Sequence, residues 1–192
     1  LGDGTTTSRT SPVISSFSNA SSIAVSKTSS KISGVVDSIK RVWICGSNTE
    51  NLLGRGYYYA NTPVNLGFSG LSQVVASNTH VLALKSDGTV WAWGSNDYGQ
   101  LGDTTTTTRT SPVQVSGLTG ITSLAVGTFH SLALKSNGTV WAWGLNEEGE
   151  LGNGTTSSQS ILVQVSSLSG ITAISSGVLF SLALKSDGTV WA

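Results

Sequence analysis

The stretch Ser131-Leu-Ala-Leu-Lys-Ser-Asn-Gly-Thr-Val-Trp-Ala142 decides the fold, because nearly the same residues recur from Val81 and from Ser181. The glycine in each copy follows the previous one by 50 residues. These turn glycines are Gly88, Gly138 and Gly188. A fixed period of this length is typical of propellers, solenoids and other arrays. The repeat therefore predicts the architecture, whereas function is expected in the parts that differ between copies.

The repeated stretch and the residues before it predict four short strands. Ser131–Lys135 and Thr139–Trp143 are predicted to form a hairpin with Asn137-Gly138 at its tip, because type I′ turns favour Asn-Gly and Asp-Gly. Ser111–Val115 alternates apolar and polar residues, and Ile121–Val126 is a second apolar stretch. Four strands without a helical period, repeated about every fifty residues, indicate a propeller blade.

The predicted fold class is therefore all-β, a propeller with blades of four antiparallel strands. One repeat domain spans 1–192 and divides into repeats 1–52, 53–100, 101–150 and 151–192. The first repeat is divergent, because Ser26–Lys40 replaces the Leu-Ala-Leu-Lys strand and the Asp-Gly turn. This segment indicates either a short insertion or a different strand pairing. The last repeat is truncated, and we expect the chain to be part of a longer polypeptide.

Tryptophans dominate the predicted core. Two complete repeats carry a Trp-Ala-Trp sequence, which places both rings on one face of a strand. The pairs are Trp91 with Trp93 and Trp141 with Trp143. A buried aromatic side chain covers about 150–250 Å², and repeat arrays owe their stability to contacts between neighbouring units. We expect at least one ring of each pair to pack between blades, with Cys45 as a small buried residue in place of the second tryptophan.

Composition limits the classes of partner. Charged residues make up 10% of the chain and the net charge is zero. Nucleic-acid binders generally carry a basic patch, so nucleic acid is not an expected partner. No apolar run reaches the 18 residues of a membrane span. The abundance of Ser, Thr and Gly is typical of secreted or surface proteins, so an extracellular or cell-surface location is expected and a cytoplasmic one stays open.

The residues predict no catalytic, cofactor or metal site. His80 and His130 occupy the same place in successive repeats, as a blade residue does, and a neutral histidine bonded to nearby backbone is the expected role. Catalysis would need a nucleophile or carboxylate beside them, and a metal site would need converging ligands. Cys45 alone excludes an internal disulfide framework.

Two kinds of loop residue are candidates for partner contact, because propellers place variable contacts on loops. One kind is aromatic and is costly to expose. The other is acidic. The candidates are Tyr57, Tyr58, Tyr59, Asp97, Tyr98, Glu147 and Glu148.

The combined pattern resembles the regulator-of-chromosome-condensation repeat. It runs Gly127-x-x-His130-Ser-Leu-Ala-Leu and then Asn137-Gly-x-Val-Trp-Ala-Trp-Gly144-x-Asn146-x-x-Gly149-x-Leu151-Gly152. The resemblance covers nearly the whole chain apart from about 14–41, and it looks most like bacterial or surface-protein members. It implies a propeller of usually seven blades, of which about four are present. The missing blades would come from the rest of a longer chain or from other copies.

These observations predict a non-enzymatic protein-interaction scaffold, the propeller module of a larger secreted or surface protein. One alternative is a specific enzyme inhibitor or adhesin that uses one propeller face. Another is a guanine-nucleotide exchange factor, the role of the founding nuclear member of the family that the chain resembles. A third is a structural subunit that assembles through open blade edges.

Overall fold

A computed structural model describes residues 4–5, 7, 10–11, 14–15, 17–25, 32–48, 52–53 and 59–192, and these residues form four β-sheets, here called blades 1 to 4. Blade 1 contains β1 (Ala20–Val25), β2 (Ile32–Asp37), β3 (Arg41–Ser47) and β4 (Tyr59–Ser69). Blade 2 contains β5 (Leu71–Ala76), β6 (His80–Lys85), β7 (Val90–Gly94) and β8 (Arg109–Gln114). Blade 3 contains β9 (Ile121–Val126), β10 (His130–Lys135), β11 (Val140–Gly144) and β12 (Gln159–Gln164). Blade 4 contains β13 (Ile171–Ser176), β14 (Ser181–Lys185) and β15 (Val190–Trp191).

The blades are arranged as in a propeller. Each sheet is an antiparallel meander in which strands adjacent in sequence are adjacent in space. The first strands of neighbouring blades contact one another, β1 with β5, β5 with β9 and β9 with β13, so they line the central axis. The predicted all-β propeller is confirmed, and in the part of the chain that is described blade 4 has three strands.

The blades are out of phase with the repeats that we assigned from the sequence. Strand β8 begins the repeat 101–150, yet it pairs with β7 of blade 2, where Val113 lies opposite Ala92. Strand β12 pairs with β11 in the same way, and Val163 lies opposite Ala142. Each of these blades therefore takes its outer strand from the following repeat. A periodic pattern has no unique starting point, which is why the sequence does not reveal this phase.

The divergent first repeat keeps the strand pairing of the others. Ile32 lies opposite Gly46 in blade 1, as His80 lies opposite Gly94 in blade 2. The connection 26–31 before β2 is longer than the connection 77–79 before β6. The insertion that we considered is therefore correct, and a different strand pairing is wrong.

The apolar core lies between the blades. Three clusters of buried side chains each combine residues from neighbouring sheets, and Trp93 and Trp143 lie in two of them with no exposed surface. Trp91 and Trp141 are only half-buried and lie beneath the ammonium groups of Lys85 and Lys135. One ring of each tryptophan pair therefore packs between blades.

A buried hydrogen-bonded junction joins blade 2 to blade 3. The Trp143 indole Nε1 and the Ser131 hydroxyl both donate to the carbonyl of Gln100, each at 2.8 Å. The Nε2 atom of His80 lies 2.8 Å from Ser131 Oγ. Because the single hydroxyl proton of Ser131 points to Gln100, His80 Nε2 must carry a proton and donate it. The His80 Nδ1 atom then accepts from the Ser77 hydroxyl at 3.0 Å.

The other two junctions show which parts of this arrangement vary. Between blades 3 and 4, His130 Nε2 lies 3.1 Å from Ser181 Oγ, which donates to the carbonyl of Glu150. Between blades 1 and 2, the histidine and serine positions hold Ile32 and Val81, both buried in one apolar cluster. The two positions therefore change together, from a hydrogen-bonded pair to an apolar pair.

The β2–β3 turn of blade 1 contains a strained residue. Lys40 has φ 67° and lies where the other blades have Gly88, at φ 82°, and its counterparts. Asp37 stabilises this turn by accepting hydrogen bonds from the backbone N–H groups of Ile39 and Arg41. A side chain with a Cβ is disfavoured in this left-handed region, which glycine adopts readily.

We therefore predict that Lys40→Gly stabilises the protein by about 1 kcal/mol, because it removes the Cβ strain. Urea unfolding of the two proteins measures the difference. Lys40→Ala is the matched control, since it removes the charge and keeps the Cβ. Equal gains in both variants would mean that the charge, and not the backbone conformation, is unfavourable.

Candidate functional site

The longest loops lie at one end of the blades, here called the loop face. The loop 95–108 follows β7 and the loop 145–158 follows β11. Ser95 N donates to Thr79 O and Leu145 N donates to Phe129 O, so each loop begins beside the turn that precedes the second strand of its blade. The Asp-Gly and Asn-Gly hairpin turns lie at the opposite end, here called the hairpin face.

Buried asparagines hold the two loops in the same conformation. The side-chain oxygen of Asn96 accepts from Leu101 N at 2.9 Å, and its amide donates to the carbonyls of Thr105 and Thr107. Asn146 makes the equivalent bonds to Leu151, Thr155 and Ser157. Because these groups are buried and hydrogen-bonded, the loops present their outer residues on a fixed frame.

An ion pair distinguishes the loop 95–108. Arg109 Nη2 lies 2.6 Å from Asp103 Oδ2, and Thr105 donates to Asp103 Oδ1. Burial raises the pKa of Asp103, but the hydrogen bonds from Thr105 and Arg109 outweigh burial and hold the pKa below its usual value. In blade 3 these two positions hold neutral residues, Asn153 in the loop 145–158 and Gln159 at the start of β12.

The loops of the loop face carry four of the five candidate contact residues that the structure describes. Asp97, Glu147 and Glu148 are exposed there, and Tyr98 is 38% exposed. Tyr59 begins the outer strand β4 at the same end of its blade, opposite Ser47, the equivalent of Ser95, with 69% of its surface exposed. Tyr57 and Tyr58 lie outside the described residues. Among the described candidates, Tyr98 is the aromatic residue that lies on these loops beside the acidic ones.

Sequence reasoning missed the partner of Tyr98. The ring of Phe129, from the next blade, lies 5.2 Å from the Tyr98 ring. Next to it, Thr128 N donates to Val178 O, which places the turn of blade 4 beside that of blade 3. An apolar strip thus crosses the loop face from Tyr98 through Phe129 to the exposed Val178 and Leu179. The sequence did contain a signal for this residue. Thr79, Phe129 and Leu179 occupy the same position in otherwise similar repeats, so the residue type at this position varies where its neighbours do not.

The hairpin face holds the turn glycines in their repeated places. Gly88, Gly138 and Gly188 have φ values of 82°, 76° and 87°, whereas the Asp or Asn before each of them does not have a positive φ. The predicted type I′ turns are therefore wrong. The N–H of each glycine donates to the carbonyl three residues earlier, as in a type I turn that is followed by a left-handed glycine. The side chain of Asp187 accepts from the Thr189 hydroxyl and backbone N–H, and these bonds lower the pKa of Asp187 to about 2. The equivalent residues Asp87 and Asn137 make the same bonds in their own turns.

The two histidines lie in the blade junctions and are buried. Burial lowers the pKa of His80 to about 3, and the nearby His130 lowers it further, so His80 is neutral near pH 7. Its neighbouring hydroxyl, Ser131, is fully buried and already donates to a carbonyl. This pair has the geometry of a packing element. Within the described residues, no group of three or more His, Cys, Asp or Glu side chains lies close enough to hold a metal ion.

The single cysteine of the chain lies inside blade 1. Cys45 is buried and unbridged, and it lies opposite Ser33 as Trp93 lies opposite Val81. Burial raises the pKa of the Cys45 thiol.

The described part of the chain has no helix that is long and apolar enough to cross a membrane.

Comparison with protein families identifies the repeat. The profile described as "Regulator of chromosome condensation (RCC1) repeat" matches residues 87–134 and 137–184, which together make up half of the chain. A second profile of the same description matches 71–100 and 121–150. Together the matches extend from the first strand of blade 2 to strand β14 of blade 4.

Curated relatives are similar to part of this chain. The chain is 37% identical over 81 residues to the human E3 ubiquitin-protein ligase HERC2, a match that covers 40% of this chain and 2% of HERC2. It is 41% identical over 46 residues to Ras guanine nucleotide exchange factor C of Dictyostelium discoideum, covering 24% of this chain and 3% of that protein. The chain thus spans only a small part of the curated relatives that it matches.

Solved structures show the same fold. Prp20p from Saccharomyces cerevisiae superposes with a TM-score of 0.80 at 21% identity, over 93% of this chain and 46% of Prp20p. Human WBSCR16 superposes with a TM-score of 0.78 at 22% identity, over 92% of this chain and 48% of that one. The four blades therefore correspond to about half of each of these two chains.

The buried His80 predicts a pH-dependent stability. In the unfolded chain a histidine has a pKa of about 6.5, so between pH 6.5 and about 3 the unfolded state binds a proton that folded His80 does not. Stability therefore falls as the pH decreases through this window. We predict that wild-type protein loses about 1 kcal/mol more than His80→Gln between pH 6 and pH 5.

Urea unfolding at the two pH values measures this difference. His130 is present in both proteins, and repeating the comparison in a His130→Gln background removes its charge coupling to His80. Equal losses in the two proteins would contradict a neutral, buried His80.

Proposed function

Because this chain belongs to the regulator of chromosome condensation (RCC1) repeat family, we propose that it is a protein-interaction module whose loop face binds a protein partner. The carrying observation is the apolar strip of Tyr98, Phe129, Val178 and Leu179 on that face. Exposed apolar patches framed by polar residues mark interaction sites. The strip lies at positions that vary between repeats, whereas the residues that hold the loops repeat.

The charges around the strip favour a basic partner surface. Asp97 precedes Tyr98, and Glu147 and Glu148 occupy the equivalent loop of the next blade. All three side chains are exposed, so they act mainly on the rate and the selectivity of association. The aromatic pair is expected to supply most of the binding energy, since Tyr is enriched among residues that dominate interfaces.

The fold relatives support a protein partner. The structure of Prp20p is described together with its binding to Gsp1p and histones. A second structure contains Kap60 bound to yeast RCC1 (Prp20). All of these are proteins. For the present chain the proposal is a non-enzymatic scaffold, and the secreted or surface setting suggested by its composition is part of the proposal.

A photo-crosslinking experiment tests the loop face directly. A photoreactive phenylalanine analogue replaces Tyr98 or Glu147 on the loop face, and Ser86 or Ser136 on the hairpin face as matched controls. All four positions are exposed, so folding is expected to tolerate the change. After irradiation in an extract or culture medium of the source organism, we expect a discrete protein adduct from positions 98 and 147 only.

Adducts that form equally from both faces, or from the hairpin face alone, would contradict the proposal. Competition sharpens the assignment, because unlabelled wild-type protein should suppress the adduct and a Tyr98→Ala, Phe129→Ala variant should not. The identity of the adduct also separates the alternatives. A small GTPase would favour nucleotide exchange, and an enzyme whose activity falls on binding would favour an inhibitor.

A further inference from the structure

The chain contains two Asn-Gly dipeptides, and both lie in blade 3, at its opposite ends. Asn137-Gly138 forms the tip of the β10–β11 hairpin, and Asn153-Gly154 lies in the loop 145–158. An asparagine before a glycine can lose its side-chain amide without an enzyme. In this reaction the glycine nitrogen attacks the asparagine Cγ, and the absent Cβ lets the two atoms approach closely. The two sites differ in the environment of each reacting group.

The attacking nitrogen is accessible at one site and held at the other. The N–H of Gly138 donates to the carbonyl of Lys135 at 2.9 Å, and Gly138 is buried. Gly154 is exposed, and within the described residues its N–H has no hydrogen-bond acceptor. The nitrogen must give its proton to water or hydroxide before it attacks. Solvent therefore reaches the Gly154 nitrogen, whereas the reaction at Gly138 must first break a buried hydrogen bond.

Three donors surround the oxygen of the amide that is attacked in the loop. Asn153 Oδ1 accepts from Thr155 N at 3.0 Å, from Thr155 Oγ1 at 2.9 Å and from Asn146 Nδ2 at 3.3 Å. Negative charge develops on this oxygen when the nitrogen adds to Cγ, and donors that are already in place stabilise such a transition state. At the other site, Asn137 Oδ1 accepts two hydrogen bonds, both from Thr139.

The loop also has room for the five-membered ring that the reaction forms. A Cβ built on Gly154 would meet no atom within 4 Å, whereas one on Gly138 would lie 3.0 Å from the backbone nitrogen of Gly170. The carbonyl of Gly138 accepts from Ile171 N at 3.1 Å, which ties this turn to blade 4. Movement of the backbone at Gly154 therefore displaces no neighbour, whereas movement at Gly138 disturbs a blade junction.

The equivalent loop of blade 2 shows that an aspartate fits at position 153. Asp103 takes that place, and its Oδ1 accepts the same three hydrogen bonds, from Thr105 N, the Thr105 hydroxyl and Asn96 Nδ2. An aspartate at 153 thus keeps the contacts that hold the loop. The residue equivalent to Arg109 is the neutral Gln159, so the new charge lacks the ion pair that Asp103 makes.

We infer that Asn153 is a site of spontaneous deamidation, which changes the charge of the loop face with time. The Gly154 nitrogen bonds to Asn153 Cγ, and the Cγ–Nδ2 bond breaks. The amide nitrogen takes up a proton and leaves as ammonia. Water then opens the resulting succinimide at either carbonyl and gives aspartate or isoaspartate.

Both products add a negative charge to the loop that carries Glu147 and Glu148. The net reaction consumes a water molecule and releases ammonia. This chemistry does not depend on the proposed binding by the loop face.

Peptide mass spectrometry after incubation of the folded protein in mildly alkaline buffer tests the inference. The peptide that contains Asn153 should gain the mass that conversion of an amide to an acid produces. The peptide that contains Asn137 should react at least about tenfold more slowly. In guanidinium chloride the two should react at similar rates, because each asparagine is followed by Gly-Thr.

A pair of variants tests the donors around the amide oxygen. Thr155→Val removes the hydroxyl donor and should slow the reaction at Asn153 about three- to tenfold in the folded protein. Thr139→Val is the matched control at the other asparagine, and it should leave the rate at Asn153 unchanged. Circular dichroism verifies that both variants fold.

Three outcomes would overturn the inference. The first is a rate at Asn137 in the folded protein that equals or exceeds the rate at Asn153. The second is a folded protein in which Asn153 stays an amide while it reacts in denaturant. The third is an unchanged rate at Asn153 in Thr155→Val, which would mean that the loop does not promote the reaction.

Discussion

The carbonyl of Gln100 and its counterparts hold this array of blades together. Trp143 and Ser131 of one blade donate to a loop carbonyl that follows the preceding blade, and His80 closes the junction from that blade. All of these groups are buried, and a buried donor or acceptor that loses its partner costs about 1–3 kcal/mol. The hydrogen bonds to the Gln100 carbonyl therefore fix both the spacing of the blades and the position of the loop 95–108, which also carries Tyr98.

The residues that hold the loops in place are distinct from the residues that the loops expose. The asparagines at 96 and 146, the leucines at 101 and 151 and the Trp–carbonyl bonds recur with the repeat, so each loop leaves its blade in the same way. The residues between them vary without disturbing the frame. Tyr98 meets Phe129 because two successive blades hold their loop and turn in register. An interaction face can therefore change while the propeller is maintained.

Much of the fold could be predicted from the sequence, because an Asp-Gly or Asn-Gly turn and a Trp-Ala-Trp strand recurring every 50 residues admit few architectures. Two features could not. The phase of the blades stayed hidden, since strand β8 looks the same whether it ends one blade or starts the next. The pairing of Ile32 with Val81 was also hidden, because these residues are far apart in sequence and meet only across a junction. Of the candidate site, Asp97, Tyr98, Glu147 and Glu148 were identified, whereas Phe129 needed the contact between blades.

The central claim is that the His80–Ser131 pair couples two blades and is interchangeable with the apolar pair Ile32–Val81. A double-mutant cycle of His80→Ile, Ser131→Val and both together, followed by urea unfolding, measures the coupling. We predict that each single variant loses stability, that the double variant recovers part of it, and that the coupling is about 1–2 kcal/mol. Effects that add to within about 0.5 kcal/mol would mean that the two side chains act independently and that the junction does not couple the blades.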